Sequence, residues 1–191
     1  MKRKLAIALE ERITADTRRK IESIVGLMNG KKKNVLDLGC GERGSFDYGG
    51  LKVTGADRIK ERVTGKAFRK IVADVDKKLP FKSKEFDIVV FSGVIQYLNY
   101  PARAIKEINR VLKPRGILVL TTVNRNSFLR ILGFIGREPK TFAGEKRIYP
   151  PQELKRLLHT CNFRVLNILG ADFIFMPASL SSNLVLVAVK G

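Results

Sequence analysis

The sequence predicts an α/β protein with a doubly wound, mostly parallel sheet. Short apolar segments typical of buried strands alternate along the chain with segments of helical periodicity. The first apolar segment, 34–38, ends in a glycine turn formed by Gly39, Cys40 and Gly41. Glycines at this spacing let the backbone adopt unusual conformations and let a ligand approach closely. A strand that ends in such a turn is typical of a nucleotide site at the carboxyl edge of a parallel sheet.

Length and composition are consistent with one domain over residues 1–191. Apolar residues make up 45% of the chain, which is enough for a sizeable core. The two cysteines, Cys40 and Cys161, do not form a disulfide framework and suit a reducing compartment. No apolar run has the length of a transmembrane segment, and the N-terminus becomes charged too soon for a secretory signal. We therefore expect a cytoplasmic protein without a transmembrane segment.

The net charge of +19 is the most unusual bulk property of the chain. Such a basic protein can bind nucleic acid, anionic lipid or an acidic substrate. Lysine-rich surfaces are also common in thermophile proteins, where they need no anionic partner. Because no local run of basic residues is dense enough to decide, both interpretations stay open.

Apolar periodicity and breaker residues give the order of the elements. Helices are predicted over 14–28, within an N-terminal helical segment 1–30, and over 101–112 and 151–161. Strands are predicted over 34–38, 51–56, 71–73, 88–91, 116–123, 163–169 and 183–189. The first crossover, after Gly44, is too short for more than about two helical turns.

The glycine turn fits two kinds of ligand. Gly39, Gly41 and Gly44 have the G-x-G-x-x-G spacing of dinucleotide sites, which keeps an NAD(P)-dependent oxidoreductase open. Asp37, however, stands two positions before the first glycine, where a carboxylate would repel a pyrophosphate. The same carboxylate would attract the ammonium and sulfonium groups of S-adenosyl-L-methionine. The electrostatics therefore favour S-adenosyl-L-methionine.

The run VLDLGCG resembles the first motif of the class I S-adenosylmethionine-dependent methyltransferases of small-molecule type, and RVLKPRG resembles one of their later motifs. The resemblance covers 33–123 well. It implies a Rossmann-like seven-stranded sheet of order 3-2-1-4-5-7-6 with an antiparallel last strand. It also implies methyl transfer from S-adenosyl-L-methionine.

The resemblance assigns parts of the cofactor to particular positions. Asp57, at the end of the second strand, would accept hydrogen bonds from the ribose hydroxyls. Asp74 would accept from the adenine amino group, and the backbone after the fourth strand would receive the ammonium group. The expected cofactor-binding residues are Asp37, Gly39, Cys40, Gly41, Asp57, Arg58, Asp74, Val75, Phe91 and Ser92.

No catalytic residue and no metal site are predicted. Methyl transfer from a sulfonium is an in-line displacement that requires positioning but no general base. The spacing of histidine, cysteine and carboxylate residues matches no metal-ligand pattern. The one histidine, His159, is expected at a partly exposed helical position.

The connector 124–151 is expected to be a lid or substrate-binding insertion. Its apolar residues could cover a small or lipid-like acceptor, contact a second copy, lie on a membrane surface or pack into the core. They are Phe128, Leu129, Ile131, Leu132, Phe134 and Ile135. We expect a small or apolar acceptor first. An RNA-directed methyltransferase and a basic RNA-binding module remain as alternatives, and the sequence does not specify the oligomeric state.

Overall fold

A computed structural model describes residues 2–28, 33–41, 48, 51–62, 69–131, 146–171 and 177–191, with only the backbone described for 2–10, 62, 130 and 131. Several predicted features lie outside these residues. They are Gly44, most of the first crossover, and the middle of the connector at 132–145.

The described strands form one seven-stranded sheet of order β3-β2-β1-β4-β5-β7-β6. The strands are β1 (Asn34–Leu38), β2 (Lys52–Asp57), β3 (Arg69–Val72), β4 (Phe86–Ser92), β5 (Leu112–Val123), β6 (Phe163–Ala171) and β7 (Asn183–Lys190). Strands β1 to β5 pair in parallel, whereas β7 runs antiparallel to both β5 and β6. The predicted fold class and strand order are therefore confirmed.

Four α-helices accompany the sheet within the described part of the chain. They are α1 (Lys2–Leu27), α2 (Pro101–Val111), α3 (Phe128–Ile131) and α4 (Pro151–Thr160), with short 3₁₀ turns at Lys60–Arg62 and Ile95–Tyr97. None of the described helices has the length and apolar character needed to cross a bilayer.

Helices cover both faces of the sheet. On one face, Leu36 and Leu38 of β1 belong to a buried cluster with apolar residues of α2 and α4. On the other face, Val35 of β1 belongs to a cluster with Ile21 and Val25 of α1. Because both faces are buried, the central strands are apolar almost throughout instead of alternating with polar residues.

The N-terminal helix lies within the predicted helical segment 1–30, but it is longer than the part that apolar periodicity identifies. That part is 14–28, whereas α1 begins at Lys2. Residues 2–11 do not show a regular apolar stripe, but they are rich in Lys, Arg, Ala, Leu and Glu, which have high intrinsic helix propensity. Propensity therefore extends the helix beyond the region that periodicity identifies.

Several strand boundaries also differ from the prediction, among them those of β3 and β5. Strand β3 is Arg69–Val72 instead of 71–73, because an edge strand tolerates the exposed Arg69 and Lys70 at its start. Strand β5 begins at Leu112 instead of 116, with a shift in its pairing to β4. Gly116 is required at this shift, since a Cβ atom there would lie 2.8 Å from the Lys113 carbonyl oxygen.

Candidate functional site

The candidate site lies at the carboxyl ends of β1 and β4. The chain moves outward from β1 to β2 and β3 on one side, and from β4 to β5 on the other. The loops after β1 and β4 therefore leave in opposite directions and open a crevice between them, which is where ligands bind in open α/β sheets.

The glycine turn is held against the neighbouring strand. The amides of Gly39 and Cys40 donate to the carbonyl oxygen of Ala56 at 2.6 and 3.2 Å. Gly39 and Gly41 have φ of +79° and +61°, the left-handed region that favours glycine. A Cβ atom at Gly39 would lie 2.3 Å from a methyl group of Val94, whereas the space beside Gly41 is open. The turn thus requires glycine for two reasons, conformation at both positions and close packing at the first.

Asp57 connects the end of β2 to this turn. Its Oδ2 accepts a hydrogen bond from the Gly41 amide at 3.0 Å, and its Oδ1 accepts one from the Ile59 amide at 3.0 Å. The residue is 8% exposed. An ionised carboxylate has about four lone-pair sites, so both oxygens can still accept bonds from a ligand.

A second carboxylate lies at the same turn. Asp37 is buried near the end of β1 and pairs in register with Val90 of β4. Burial, and then the charges of Asp37 and Asp57, raise the pKa of the Cys40 thiol to about 12. Cys40 is therefore a protonated thiol at neutral pH and is unsuited to act as a nucleophile. The two carboxylates give the turn a negative field that favours a cationic ligand.

Ser92 ends β4 on the same face of the sheet as Asp37, because Val90 lies two residues before Ser92 and alternate residues share a face. Its hydroxyl lies 2.8 Å from the Thr121 hydroxyl of β5. The preceding Phe91 is fully buried in the core. Gly93, with φ of +67° and open space beside it, begins the loop at the mouth of the crevice.

The loop after β3 lies next to the end of β2. The Ala73 amide donates to the Asp57 carbonyl oxygen at 2.9 Å, which brings Asp74 and Val75 to the crevice edge. The side chain of Asp74 is 41% exposed and forms a 3.7 Å ion pair with Lys77. Val75 is buried, and Arg58 is exposed on the loop after β2. The structure thus brings nine of the ten predicted positions to one edge of the sheet, with Arg58 at its rim.

Three polar residues on the loops after β3, β4 and β5 join these loops to neighbouring segments, and sequence reasoning did not predict these contacts. Asp76 accepts hydrogen bonds from the amides of Asn99 and Tyr100 at 3.3 and 3.2 Å, and so joins the loop after β3 to the loop before α2. Gln96, 4% exposed, accepts a 3.1 Å bond from the Thr122 hydroxyl. Its carbonyl oxygen also accepts from the amides at the end of the connector, Lys146 and Arg147.

Asn124 is the third of these residues. It is fully buried, and its amide group donates to the carbonyl oxygens of Ser179 and Ser181 at 3.0 and 2.7 Å. Its Oδ1 accepts from the Asn126 amide at 3.0 Å. Asn124 therefore orders the loop that leads into β7. A buried asparagine directly after a strand was the only available signal, and it does not specify its partners.

Two exposed apolar side chains lie where the chain has left β5 and where it is about to enter β7. Phe128 at the start of α3 and Leu180 before β7 are 41% and 38% exposed. They are joined by a 2.8 Å bond from the Phe128 amide to the Leu180 carbonyl oxygen. Ile13 of α1 packs against the neighbouring Leu129 in a small buried cluster. Leu132, Phe134 and Ile135 of the predicted lid lie outside the described residues.

In the part of the chain that the structure describes, no group of three or more histidine, cysteine or carboxylate side chains is arranged to hold a metal ion. His159 is exposed on α4, as predicted.

Comparison with known proteins gives a family match and relatives over most of the described chain. Residues 9–168 match the family described as "Methyltransferase domain". An uncharacterised protein of Methanocaldococcus jannaschii is 36% identical over 107 residues, which cover 53% of this chain and 46% of that protein. The chain therefore spans less than half the length of this relative. A ubiquinone biosynthesis O-methyltransferase of Pseudomonas aeruginosa is 27% identical over 162 residues, covering 74% of this chain and 68% of the relative.

Among solved structures, the fold is similar to that of the 1,6-didemethyltoxoflavin-N1-methyltransferase of Burkholderia thailandensis. The TM-score is 0.67 at 18% identity, with 91% of this chain and 78% of the other covered. That enzyme was solved with S-adenosylhomocysteine and its substrate bound.

Proposed function

Because this chain belongs to the family of S-adenosylmethionine-dependent methyltransferases, we propose that it transfers the methyl group of S-adenosyl-L-methionine to a small, apolar acceptor. The family assignment confirms the cofactor that the sequence predicted. The identity of the acceptor is the part that we propose.

The residues at the crevice fit the cofactor. When bound, S-adenosyl-L-methionine supplies a methyl group activated by the positive charge on sulfur. We assign Asp37 and the backbone at Phe91 and Ser92 to its amino-acid end, where the negative field of the turn favours a cation. Asp57, whose oxygens already orient the turn, would hold the ribose hydroxyls. Asp74, partly exposed at the crevice edge, would accept from the adenine amino group with the Val75 backbone against the ring.

The pair formed by Phe128 and Leu180 is the observation that supports an apolar acceptor. Both side chains are exposed, although large apolar residues are usually buried, and a direct backbone hydrogen bond holds them together. Phe128 follows β5, which carries Thr121, and Leu180 precedes the neighbouring strand β7. Strand β4, which ends at Ser92, lies on the other side of β5. An apolar acceptor that covered them would remove from water the 41% and 38% that are still exposed, at a gain of roughly 0.6–1.2 kcal/mol for each residue.

These residues need only position the acceptor relative to the methyl group of the cofactor. An in-line displacement needs the acceptor atom roughly 3 Å from the methyl carbon, opposite the sulfur. The partly exposed Ser92 hydroxyl at the end of β4, 2.8 Å from the buried Thr121 hydroxyl of β5, would bind a polar group of the acceptor. The apolar pair would hold the remainder of the molecule.

The experiment measures S-adenosylhomocysteine formation with phenols that carry alkyl chains of increasing length. Phenols are chosen because one relative is named as a ubiquinone biosynthesis O-methyltransferase. We expect the KM to fall as the alkyl chain lengthens. In the double variant Phe128→Ser/Leu180→Ser the KM for the longest chain should rise about tenfold or more, with unchanged affinity for S-adenosylhomocysteine.

Leu166→Ser is the matched control, because Leu166 is 51% exposed on the distant edge strand β6. Its KM should equal that of the wild type. Methyl transfer to RNA with none to the phenols would contradict the proposed acceptor and favour a nucleic-acid-directed enzyme.

A further inference from the structure

A groove of about 510 Å³ lies between α4 and the edge strand β6. Strand β6 is separated from β1 and the glycine turn by β4, β5 and β7. The groove is therefore distinct from the crevice described above, and neither the family match nor the cofactor explains it.

The walls of this groove are basic. Lys155, Arg156 and His159 of α4 and Arg164 of β6 line it, and no acidic residue does. All four are exposed. The acidic residue of α4, Glu153, does not line the groove and forms an ion pair with Arg147. The positive charge of the groove is thus left without a neutralising carboxylate among its lining residues.

We propose that this groove binds the phosphate backbone of a nucleic acid strand. Lys155 and His159 are four residues apart on α4, so they follow each other at roughly 6 Å along one wall. Arg164 stands on the opposite wall, where a planar guanidinium can bind a phosphate in a bidentate manner. Cations on both walls suit a chain with regularly repeated negative charges. The net charge of +19 would attract such a polyanion from a distance.

Two other anionic partners fit the groove less well. An acidic peptide would bind most simply as an added strand on the open edge of β6. The pairing of β6 with β7 shifts register between Val165 and Asn167, and such a bulge disrupts the edge as a template. A bilayer surface would contact protruding side chains, whereas this basic cluster lines a recess.

Contacts with phosphate groups do not depend on which bases the strand carries. We therefore expect the groove to bind nucleic acid without sequence preference.

The test measures fluorescence anisotropy of a labelled 20-nucleotide oligouridylate at several salt concentrations. The groove variant is Lys155→Glu/Arg156→Glu/Arg164→Glu. The control variant, Lys60→Glu/Lys70→Glu/Lys82→Glu, makes the same change in net charge at exposed positions towards the opposite edge of the sheet. We expect the groove variant to bind about tenfold more weakly or worse. The plot of the logarithm of its binding constant against the logarithm of the salt concentration should be less steep by about 2, because three phosphate contacts are lost.

The control variant should lose less than about threefold, because it changes only the overall field. Equal losses in the two variants would overturn the proposal, since the general charge would then explain binding. It would also be overturned if polyglutamate or phosphatidylserine vesicles bound in the same groove-dependent way with higher affinity than the oligonucleotide, or if the wild type did not bind the oligonucleotide at all.

Melting temperature and S-adenosylhomocysteine affinity of each variant establish that it is folded. The milder Lys155→Gln/Arg156→Gln/Arg164→Gln replaces the groove variant if the latter is unfolded. Retained cofactor affinity with lost oligonucleotide binding would separate this groove from the proposed methyl-transfer site.

Discussion

At the scale of single residues, the Asp57 side chain links the glycine turn to the end of β2 by a hydrogen bond. It accepts hydrogen bonds from Gly41 and Ile59 while remaining 8% exposed at the crevice. Its carboxylate can therefore orient the turn and bind a ligand hydroxyl at the same time. Loss of the carboxylate should affect cofactor binding by both routes.

We expect Asp57→Ala to weaken S-adenosylhomocysteine binding by about 1–3 kcal/mol, measured by titration calorimetry. Asp87→Ala is the matched control. Asp87 also accepts from a backbone amide, that of Asn34 at 2.9 Å, but it stands at the beginning of β4, away from the turn. The control should lose stability without losing cofactor affinity. Unchanged affinity in Asp57→Ala would reject its proposed role.

The sequence could predict residues whose role depends on their immediate neighbours. The glycines of the turn and Asp37 were found because strand, turn and charge adjoin in the chain. Asp76 and Asn124 were assigned no structural role because their partners are distant in sequence. Asp76 binds the loop before α2, and Asn124 binds the carbonyl oxygens of 179 and 181. Such contacts depend on how loops from different strands meet, which one sequence does not specify.

At the scale of elements, an ion pair on α2 fixes the loop that follows the proposed adenine segment. Glu107 accepts from the Leu79 amide at 2.9 Å and from two nitrogens of Arg110, each at 2.9 Å. Arg110 in turn donates to the carbonyl oxygens of Leu79 and Phe81. The pair therefore holds the loop through both its amide and carbonyl groups.

This arrangement predicts a pH-dependent contribution to stability. The side-chain hydrogen bond from Arg110, which outweighs burial, lowers the pKa of Glu107 below its usual 4.5. A lowered folded-state pKa stabilises the fold above about pH 4.5, and this contribution is lost as the pH falls towards the folded-state value. Glu107→Gln should therefore cost about 1–2 kcal/mol at pH 7, with a difference that shrinks below pH 4.5.

Urea unfolding of wild type and variant between pH 7 and pH 3 measures this difference. Glu11→Gln, which removes an exposed charge on α1, should change stability by less than about 0.5 kcal/mol throughout. A Glu107→Gln difference that stayed constant down to pH 3 would contradict the role of the ionised carboxylate.

A second prediction concerns the contact between β6 and the loop before β7. A Cβ atom at Gly170 would lie 1.9 Å from the Ser181 hydroxyl oxygen and 2.5 Å from its Cβ atom, and Ser181 is fully buried. Gly170→Ala should therefore destabilise the protein by about 1–3 kcal/mol. Gly26→Ala has open space around the new methyl group within α1 and should be neutral or slightly stabilising.

Thermal unfolding of the two alanine variants distinguishes a steric effect from a general effect of replacing glycine. Adding Ser181→Gly to Gly170→Ala should restore part of the lost stability, because the group that clashes is removed. Equal melting temperatures for the two single variants would show that the strand end shifts at no cost.

Element boundaries were predictable where the burial pattern was clear. Strand β1 and the main part of α2 follow from apolar residues that the structure indeed buries. Periodicity did not identify the start of α1 at Lys2 or the exposed start of β3, because propensity and edge pairing form these parts without an apolar signal.

At the scale of the whole molecule, the order of the strands determines which ligand the fold can hold. The reversal between β1 and β4 creates a crevice that could accept either a dinucleotide or a methyl donor. The fold alone therefore does not distinguish a dinucleotide site from a methyl-donor site. The discrimination comes from the Asp37 carboxylate at the turn, whose field would oppose a pyrophosphate, whereas an acidic residue at the position of Asp57 suits the ribose of either ligand.

We expect S-adenosylhomocysteine to raise the melting temperature of the full chain and NADH at the same concentration to have no effect. A ligand at one hundred times its Kd adds about 2.7 kcal/mol of stability, which corresponds to a shift of roughly 5–10 °C for a protein of this size. If residues 1–191 fold as the single domain that we propose, the whole transition should shift together. Differential scanning calorimetry measures both quantities. Stabilisation by NADH alone would reverse the electrostatic argument, because the turn would then tolerate two phosphates beside its carboxylates.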